Sequence, residues 1–294
     1  MKPLHMIVRK DMNISFQVEY NRNEDLFRDS RGYVPYHYHG EYELMYVIRG
    51  CGTRIVGSSI ETFGSGDFVF MGPELPHVWN GELPSSGASR ESEYIYLCFS
   101  KDIFGPGFFS LPELQDVKKL LDRSVQGIKF SGTALAEGAE ILRQMVKEKK
   151  ARRFILLLSL LDILSSSKEG KTLNSRSFAF SPEGQEGDRI NKAMKYILDH
   201  YHQDISVEKI ADHIGMSPNA FSRFFKSKTY KHFIEFVNEV RITNATRMLA
   251  SDSQSIADVA YHCGYNSLSN FNRHFKRHTR ITPMEYKQKL IKAM

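Results

Sequence analysis

Short apolar runs separated by turn residues fill the first 100 residues of the chain. Aromatic and β-branched residues dominate each run, and glycines such as Gly50 and Gly64 punctuate them. This composition and spacing are typical of β-strands. The pattern predicts strands at residues 42–48, 53–56, 67–71 and 94–99. Short strands in this order favour a β-sandwich or a small barrel.

Helical periodicity replaces this pattern between residues 112 and 165. Pro112 is suited to the first turn of a helix that runs to about residue 121. A later helix, around residues 154–164, is apolar on most of its sides. Such a helix is either buried in a core or pairs with a partner chain, and the pattern is compatible with both. Residues 166–186 are rich in Ser, Gly and Lys without any apolar period, which predicts a flexible linker.

An internal repeat occupies the C-terminal part of the chain. IADHIG at residues 210–215 recurs as VAYHCG at 259–264, and FSRFFK at 221–226 recurs as FNRHFK at 271–276. Small residues stand where two helices would cross, and a glycine follows where the intervening turn needs a positive φ. Each copy therefore has the features of a helix-turn-helix unit.

The second helix of each copy carries a one-sided polar stripe at positions i, i+3, i+4 and i+7. The stripes consist of Asn219, Ser222, Arg223 and Lys226 in the first copy and Ser269, Asn272, Arg273 and Lys276 in the second. Asn and Arg are the side chains that recognise adenine and guanine edges in the major groove. A single stripe is usually only a solvated face, but two on a repeated scaffold predict DNA binding.

The charge distribution agrees with this prediction. Residues 188–294 contain 17 Lys and Arg against 10 Asp and Glu, whereas residues 1–187 contain 23 against 24. A basic segment joined to a neutral one is typical of a protein that binds a polyanion through one end. No apolar run approaches the roughly 20 residues that span a bilayer. The 3 cysteines form no CxxC pair, so we expect a cytoplasmic protein with no membrane partner and no disulfide framework.

The segment IADVAYHCGYNSLSNFNRHFKRHTRITPMEYK resembles the signature of the AraC family of bacterial transcription regulators, and the resemblance covers about residues 190–290. In that family, a connecting helix sets two recognition helices into successive major-groove segments on one face of the DNA. The resemblance implies base contacts from Asn219, Ser222, Arg223, Leu268, Ser269, Asn272 and Arg273.

Two segments of the N-terminal part, His37-Tyr-His39-Gly-Glu-Tyr-Glu43 and Pro73-Glu-Leu-Pro-His77-Val-Trp79, resemble the two cupin motifs. AraC-family proteins often carry a cupin-like sensor ahead of their DNA-binding part. The resemblance implies a ligand pocket lined by His37, His39, Glu43, His77 and Trp79. The three histidines and Glu43 match the ligand positions of metal-binding cupins. His37, His39 and Glu43 would share one face of an unbroken strand. The spacing of both motifs departs from the metal-binding pattern, so we expect neither a bound metal nor another cofactor.

These features together predict an α+β protein of two domains. We expect a cupin-like β-barrel sensor domain at residues 1–111 and a helical segment at 112–165 that forms a homodimer. The linker at 166–186 is followed by an all-α double helix-turn-helix domain at 187–294. The expected function is non-enzymatic: sequence-specific binding of double-stranded operator or promoter DNA, controlled by a small-molecule effector.

A sugar effector is suggested by analogy alone, and RNA polymerase is a partner if the protein is an activator. The alternative is a cupin metalloenzyme that uses His37, His39, Glu43 and His77, with an incidental basic tail.

Overall fold

The computed structural model describes residues 16–23, 36–81, 92–175, 186–249 and 254–291. Its strands are β1 (Phe16–Asn23), β2 (Tyr42–Arg49), β3 (Gly52–Val56), β4 (Ser59–Phe63), β5 (Phe68–Met71), β6 (His77–Gly81), β7 (Ser92–Phe99), β8 (Ile128–Phe130) and β9 (Gly170–Thr172). Its α-helices are α1 (Gln115–Arg123), α2 (Gly132–Lys147), α3 (Lys150–Ser166), α4 (Glu186–His200), α5 (Val207–His213), α6 (Pro218–Thr229), α7 (Phe233–Met248), α8 (Ile256–His262), α9 (Leu268–Thr279) and α10 (Pro283–Ile291). The four predicted strands correspond to β2, β3, β5 and β7, and these predictions are confirmed.

The strands form two antiparallel sheets rather than a closed barrel. One sheet has the order β1-β7-β2-β5-β8-β9, and the other has the order β4-β3-β6. Within the described ranges, an isolated bridge between His37 and His77 connects the chain ahead of β2 to β6. The backbone bends at Gly40 and Glu41 before β2 begins. Because this bend interrupts the ladder, the hydrogen bonding does not run continuously from one sheet to the other, and the prediction of one unbroken strand from residue 37 to residue 43 is wrong.

Three apolar cores separate four layers of structure. Residues of both sheets, including Met45 and Trp79, form the core between the sheets. The other face of the six-stranded sheet packs on α1, α2 and α3. The outer face of the three-stranded sheet, through Ile55, Ile60 and Val78, shares a core with α4–α7. The C-terminal helices thus pack directly on the smaller sheet.

The helical segment at 112–165 is largely accounted for by this packing. Leu157 and Leu160 of α3 are fully buried in the core against the larger sheet, while Ile155 is 53% exposed. The segment also contains β8, which joins that sheet beside β5. Part of the predicted linker is ordered, since β9 pairs with β8. The residues of β9 therefore do not form the irregular chain that the sequence predicts, and the pairing satisfies their backbone hydrogen-bonding groups. The rest of the predicted linker, residues 176–185, lies outside the described residues.

The described residues of the C-terminal part form α-helices and no strand, as the sequence predicts, and α7 connects its two halves. Phe236 and Val240 of α7 belong to the core of the first half, and Ile242 and Ala245 belong to the core of the second. One continuous helix therefore contributes to both cores, which holds the halves at a set spacing. No helix in the described ranges is long and apolar enough to cross a membrane.

Candidate nucleic-acid interface and ligand-binding cluster

The first helix-turn-helix unit consists of α5 and α6, and local sequence explains its turn. Gly215 adopts a φ of 67°, a conformation that glycine takes without steric cost. The side chain of Ser217 accepts a hydrogen bond from the backbone amide of Ala220, and Pro218 occupies the first helical position. Both features favour helix initiation. They determine where α6 begins and so which of its residues face outward.

The polar stripe of α6 lies on the protein surface. Asn219, Arg223 and Lys226 are exposed and Ser222 is half-buried, whereas Phe221, on the opposite side of the helix, is fully buried. Because the phenylalanine side of the helix is anchored in the core, the helix cannot rotate about its axis. The stripe is consequently presented as one continuous polar face.

The second unit, α8 and α9, repeats this arrangement. Ser255 caps α8 in a reciprocal capping box with Asp258, and Gly264 adopts a φ of 82° in the turn. Phe271 is fully buried. Leu268, Ser269, Asn272, Arg273 and Lys276 of α9 are all exposed.

The structure extends the repeat to the ends of both recognition helices, which sequence reasoning missed. Tyr230 and Arg280 both adopt left-handed conformations at the C-caps of α6 and α9. Thr229 and Thr279, one residue earlier, each donate a 2.8 Å hydrogen bond to the carbonyl oxygen four residues back. The paired threonines were the available sequence signal. The two units thus share their turn, their phenylalanine core and the end of their recognition helices.

A second cluster gathers four ionisable side chains between the two sheets. His37, His39, Glu43 and His77 are all buried, and one candidate ligand atom from each lies within 4.8 Å of the others. Backbone pairing brings them together: the amide of His37 donates to the carbonyl of His77 at 3.0 Å, and the reciprocal bond measures 2.8 Å. The unusual motif spacing does not keep these residues apart, because this pairing places the two motifs side by side.

Hydrogen bonds within the cluster centre on the Glu43 carboxylate. The His39 Nε2 atom lies 2.9 Å from Glu43 Oε2, and the Cys98 thiol donates to the same oxygen at 3.4 Å. Burial alone would raise the pKa of Glu43, but His77 and His39 outweigh it and hold this pKa well below its usual value. Burial lowers the pKa of His39, yet the adjacent Glu43 raises it overall. The two histidines therefore favour the charged form of this carboxylate although the side chain is buried.

Trp79, the fifth predicted pocket residue, contacts a separate polar network that sequence reasoning missed. Its indole Nε1 donates to Asp67 at 3.2 Å. Asp67 also accepts two hydrogen bonds from Arg54, of which one measures 2.7 Å, and Arg54 is 1% exposed. The ring of Trp79 lies edge-on to His77, with 6.0 Å between centroids. Trp79 thus links the histidine cluster to a buried ion pair.

Comparison with known proteins gives a family match at the C-terminus. The helix-turn-helix domain family matches residues 210–289. The HTH-type transcriptional activator RhaS of Klebsiella pneumoniae is 24% identical over 268 residues, covering 86% of this chain and 87% of RhaS. RhaS of Escherichia coli O157:H7 is 21% identical over 267 residues with the same coverage.

The C-terminal part of the chain is an AraC-family helix-turn-helix domain. The protein is a DNA-binding transcription regulator. The metalloenzyme alternative is disfavoured because the relatives are transcription regulators and the match to them extends over nearly their whole length. Among solved structures, the DNA-binding domain of AdpA with its target DNA is 29% identical, covering 33% of this chain and 87% of that one, with a TM-score of 0.32. ToxT from Vibrio cholerae is 13% identical, covering 94% of this chain and 98% of its own, with a TM-score of 0.37.

The AraC-family domain is joined to the smaller sheet by polar contacts as well as by the shared core. Thr53 of β3 donates a 3.1 Å hydrogen bond to Asn244 of α7. Lys231 donates to the carbonyl of Ser58 at 2.7 Å and to Glu239 at 2.5 Å. No sequence signal pointed to the bonds from Thr53 to Asn244 and from Lys231 to Ser58, because each joins residues more than 170 positions apart. They connect the sheet that carries His77 to the helix that spaces the two recognition helices.

Proposed function

We propose that the protein regulates transcription by inserting α6 and α9 into successive major-groove segments on one face of double-stranded DNA. A small molecule bound by the N-terminal domain would control this binding. The observation that carries the proposal is the pair of exposed polar stripes held by one connecting helix. A solvated surface has no need of two matching polar faces on repeated scaffolds. Major-groove recognition uses this arrangement, since each helix reads one segment.

Individual roles follow from side-chain chemistry. Arg223 and Arg273 would donate bidentately to guanine, and Asn219 and Asn272 would pair with adenine. Leu268 is apolar and 37% exposed, which suits contact with a thymine methyl group or a sugar. Ser222 and Ser269 accept or donate to either kind of base, and Lys226 and Lys276 suit phosphate oxygens because they are point charges.

Control would pass through the contact between β3 and α7. We infer that residues 1–111 form a cupin-like sensor domain whose pocket is lined by His37, His39, Glu43, His77 and Trp79. Support comes from the two facing sheets and from the position of β6, which pairs with β3. A ligand that shifts β6 would therefore act on β3 and, through Thr53, on the helix that spaces the recognition helices. We place the helical segment at 112–165, the linker at 166–186 and the DNA-binding domain at 187–294.

Partners other than DNA stay predictions. An activator role, with RNA polymerase as a partner, is supported by the RhaS relatives, which are named as activators. A homodimer through residues 112–165 has less support than the sequence alone suggested. Most leucines of α3 are buried in the core of the same chain, and Ile155 is an exposed apolar residue that is left for a partner. Cytoplasmic location and a sugar effector also stay predictions.

Selection of bound sites from random DNA by the full-length chain, with and without candidate metabolites, tests the proposal. We expect a motif with two conserved blocks about one helical turn apart. We also expect at least one metabolite to change the recovered affinity. Selection that returns no motif would contradict the two-helix recognition of DNA.

A further inference from the structure

We propose that Arg241, Gly264 and Tyr265 form a clasp that fixes the second helix-turn-helix unit against the first and so determines the spacing of the DNA blocks that the protein accepts. The clasp holds the turn at residues 201–203, which joins α4 to α5 in the first unit. This inference rests on the proposed function, because spacing matters only if α6 and α9 both enter the DNA. It goes further by naming the residues that select one spacing.

The clasp lies where α7 passes from one core to the other. Val240 belongs to the core of the first unit, and Ile242 belongs to the core of the second. Arg241 stands between them. Within the described residues, α4, α5 and α6 do not pack extensively on α8 or α9. The turn at residues 201–203 therefore gives the second unit a point of attachment to the first in addition to α7.

Arg241 makes two of the contacts of the clasp. Its Nε atom donates to the carbonyl oxygen of Tyr201 at 2.7 Å, and its Nη2 atom donates to the carbonyl oxygen of Gln203 at 2.7 Å. Both carbonyls follow the C-terminal end of α4, where backbone oxygens lack helical partners and a cation is favoured. The planar guanidinium holds both oxygens at once, a geometry that the single ammonium group of lysine does not reproduce.

Tyr265 connects Arg241 to the second unit. The guanidinium carbon of Arg241 lies over the Tyr265 ring, 5.6 Å from its centroid, which is within the range of a cation–π contact. The Tyr265 hydroxyl donates to Oδ1 of Asn238 on α7 at 3.3 Å and lies 3.2 Å from Nδ1 of His274 on α9. The first unit has Met216 at the corresponding position, which offers neither a hydroxyl nor a ring. The recognition helix α9 is thus linked to α7 through the side chain of Tyr265.

Gly264 allows the second unit to approach the turn at residues 201–203. A Cβ atom at this position would lie 2.8 Å from the carbonyl oxygen of Tyr201 and 2.9 Å from the carbonyl group of His202. Because both neighbours are backbone atoms, a side chain here would force the two units apart. Gly215, at the same place in the first unit, has a φ of 67° against 82° for Gly264. A Cβ at Gly215 would meet no atom of the described residues within 4 Å.

Two attachments between the units make their separation on DNA selective. Linked binding modules act together only when the linkage matches the separation of their sites. One inserted base pair moves the second DNA block by about 3.4 Å and rotates it by about 35°. A clasped pair of units cannot follow this movement, so we expect the natural chain to lose affinity by at least about 10-fold. A pair that pivots about α7 would follow it in part.

The ratio of two affinities measures this selectivity. Site selection by the full-length natural chain supplies the two-block site, and the second duplex has one base pair inserted between the blocks. Arg241→Lys keeps the charge but removes the fork, so we expect the ratio of the two affinities to fall to about 3-fold or less. The salt slope should stay that of the natural chain, because the charge is retained. A mere loss of stability would lower both affinities alike and leave their ratio unchanged.

The two turn glycines provide a matched pair of variants. Gly264→Ala introduces the clash with the turn at residues 201–203 and should lower the ratio as Arg241→Lys does. Gly215→Ala places a side chain at a similar positive φ without that clash, so it should keep the natural ratio. If Gly264→Ala does not fold, Arg241→Lys decides the matter.

The outcomes distinguish the clasp from the proposed function. A natural ratio in Arg241→Lys would overturn the clasp and leave recognition by two helices intact. A natural chain that binds both duplexes equally well would also overturn it. If the natural chain selects no two-block motif at all, the proposed function is wrong and the clasp falls with it.

Discussion

The hydroxyl of Thr53 donates a 3.1 Å hydrogen bond to Oδ1 of Asn244, although the two residues are 191 positions apart. Both side chains are buried, at 0% and 1% exposure. Asn244 donates its own amide to the carbonyl of Val240 within α7. Its Oδ1 atom is thereby directed toward β3. This bond ties the helix that spaces the recognition helices to the smaller sheet.

Replacing Thr53 with Val should weaken this attachment. The substitution keeps the shape of the side chain but leaves the Asn244 oxygen buried without a donor, which costs about 1–3 kcal/mol. Chemical unfolding of the full-length chain should show a loss of that size. Thr62→Val, at the half-buried position opposite Thr53 on β4, is the control and should change the free energy of unfolding by less. Equal losses in both variants would mean that the bond to Asn244 contributes nothing specific.

Substitution of the stripe arginines should separate the two recognition helices. Arg223→Ala should relax base preference in one block of the selected motif, and Arg273→Ala should relax it in the other. Each should cost about 1–3 kcal/mol on the preferred sequence and little on random DNA. Site selection with each variant measures this.

The competing interpretation treats both arginines as parts of one diffuse positive surface. The control for that interpretation is Arg152→Ala, an exposed arginine of α3 outside the two helix-turn-helix units, which should leave the motif unchanged. If Arg223→Ala and Arg273→Ala also leave it unchanged, recognition by two helices is wrong.

The salt dependence of DNA binding should report phosphate contacts. We expect a linear fall of log affinity with log salt concentration, with a slope of about −0.9 for each phosphate neutralised. Lys226→Ala should make the slope shallower by about one contact and weaken binding to all sequences alike. Lys118→Ala, on α1 and paired with Asp122 at 2.7 Å, should leave the slope unchanged. A slope that Lys226→Ala does not alter would remove Lys226 from the phosphate contacts.

Loss of the cap on α6 should lower stability independently of DNA. Ser217 accepts the amide of Ala220 at 3.3 Å, so Ser217→Ala leaves one amide of the first turn without this partner. The expected loss is about 0.5–2 kcal/mol in the free energy of unfolding. Ser227→Ala, near the other end of the same helix, removes a hydroxyl that only bonds back to the Phe224 carbonyl and should be near neutral. Unfolding curves of both variants without DNA give the comparison, and coincident curves would argue against the cap.

The local amino-acid sequence is enough to predict the helix-turn-helix repeat and its polar surface. Caps such as Ser217, the positive φ of Gly215 and the phenylalanine anchors of each recognition helix are local features. They depend on residues within one or two turns, so periodicity and residue type predict them. The same holds for strands β2, β3, β5 and β7, whose alternation of apolar runs and turns is visible along the chain.

Contacts that join distant segments depend on how the whole chain folds. The cluster of His37, Glu43 and His77 depends on a backbone bridge between two motifs, and the motif spacing alone suggested a distorted site. The burial of Arg54 beside Asp67 and the pairing of β9 within the larger sheet likewise depend on contacts between separate segments of the chain. Sheet register and packing of layers fix these contacts, and neither leaves a periodic signal in the local sequence, because the partners are set by the fold as a whole.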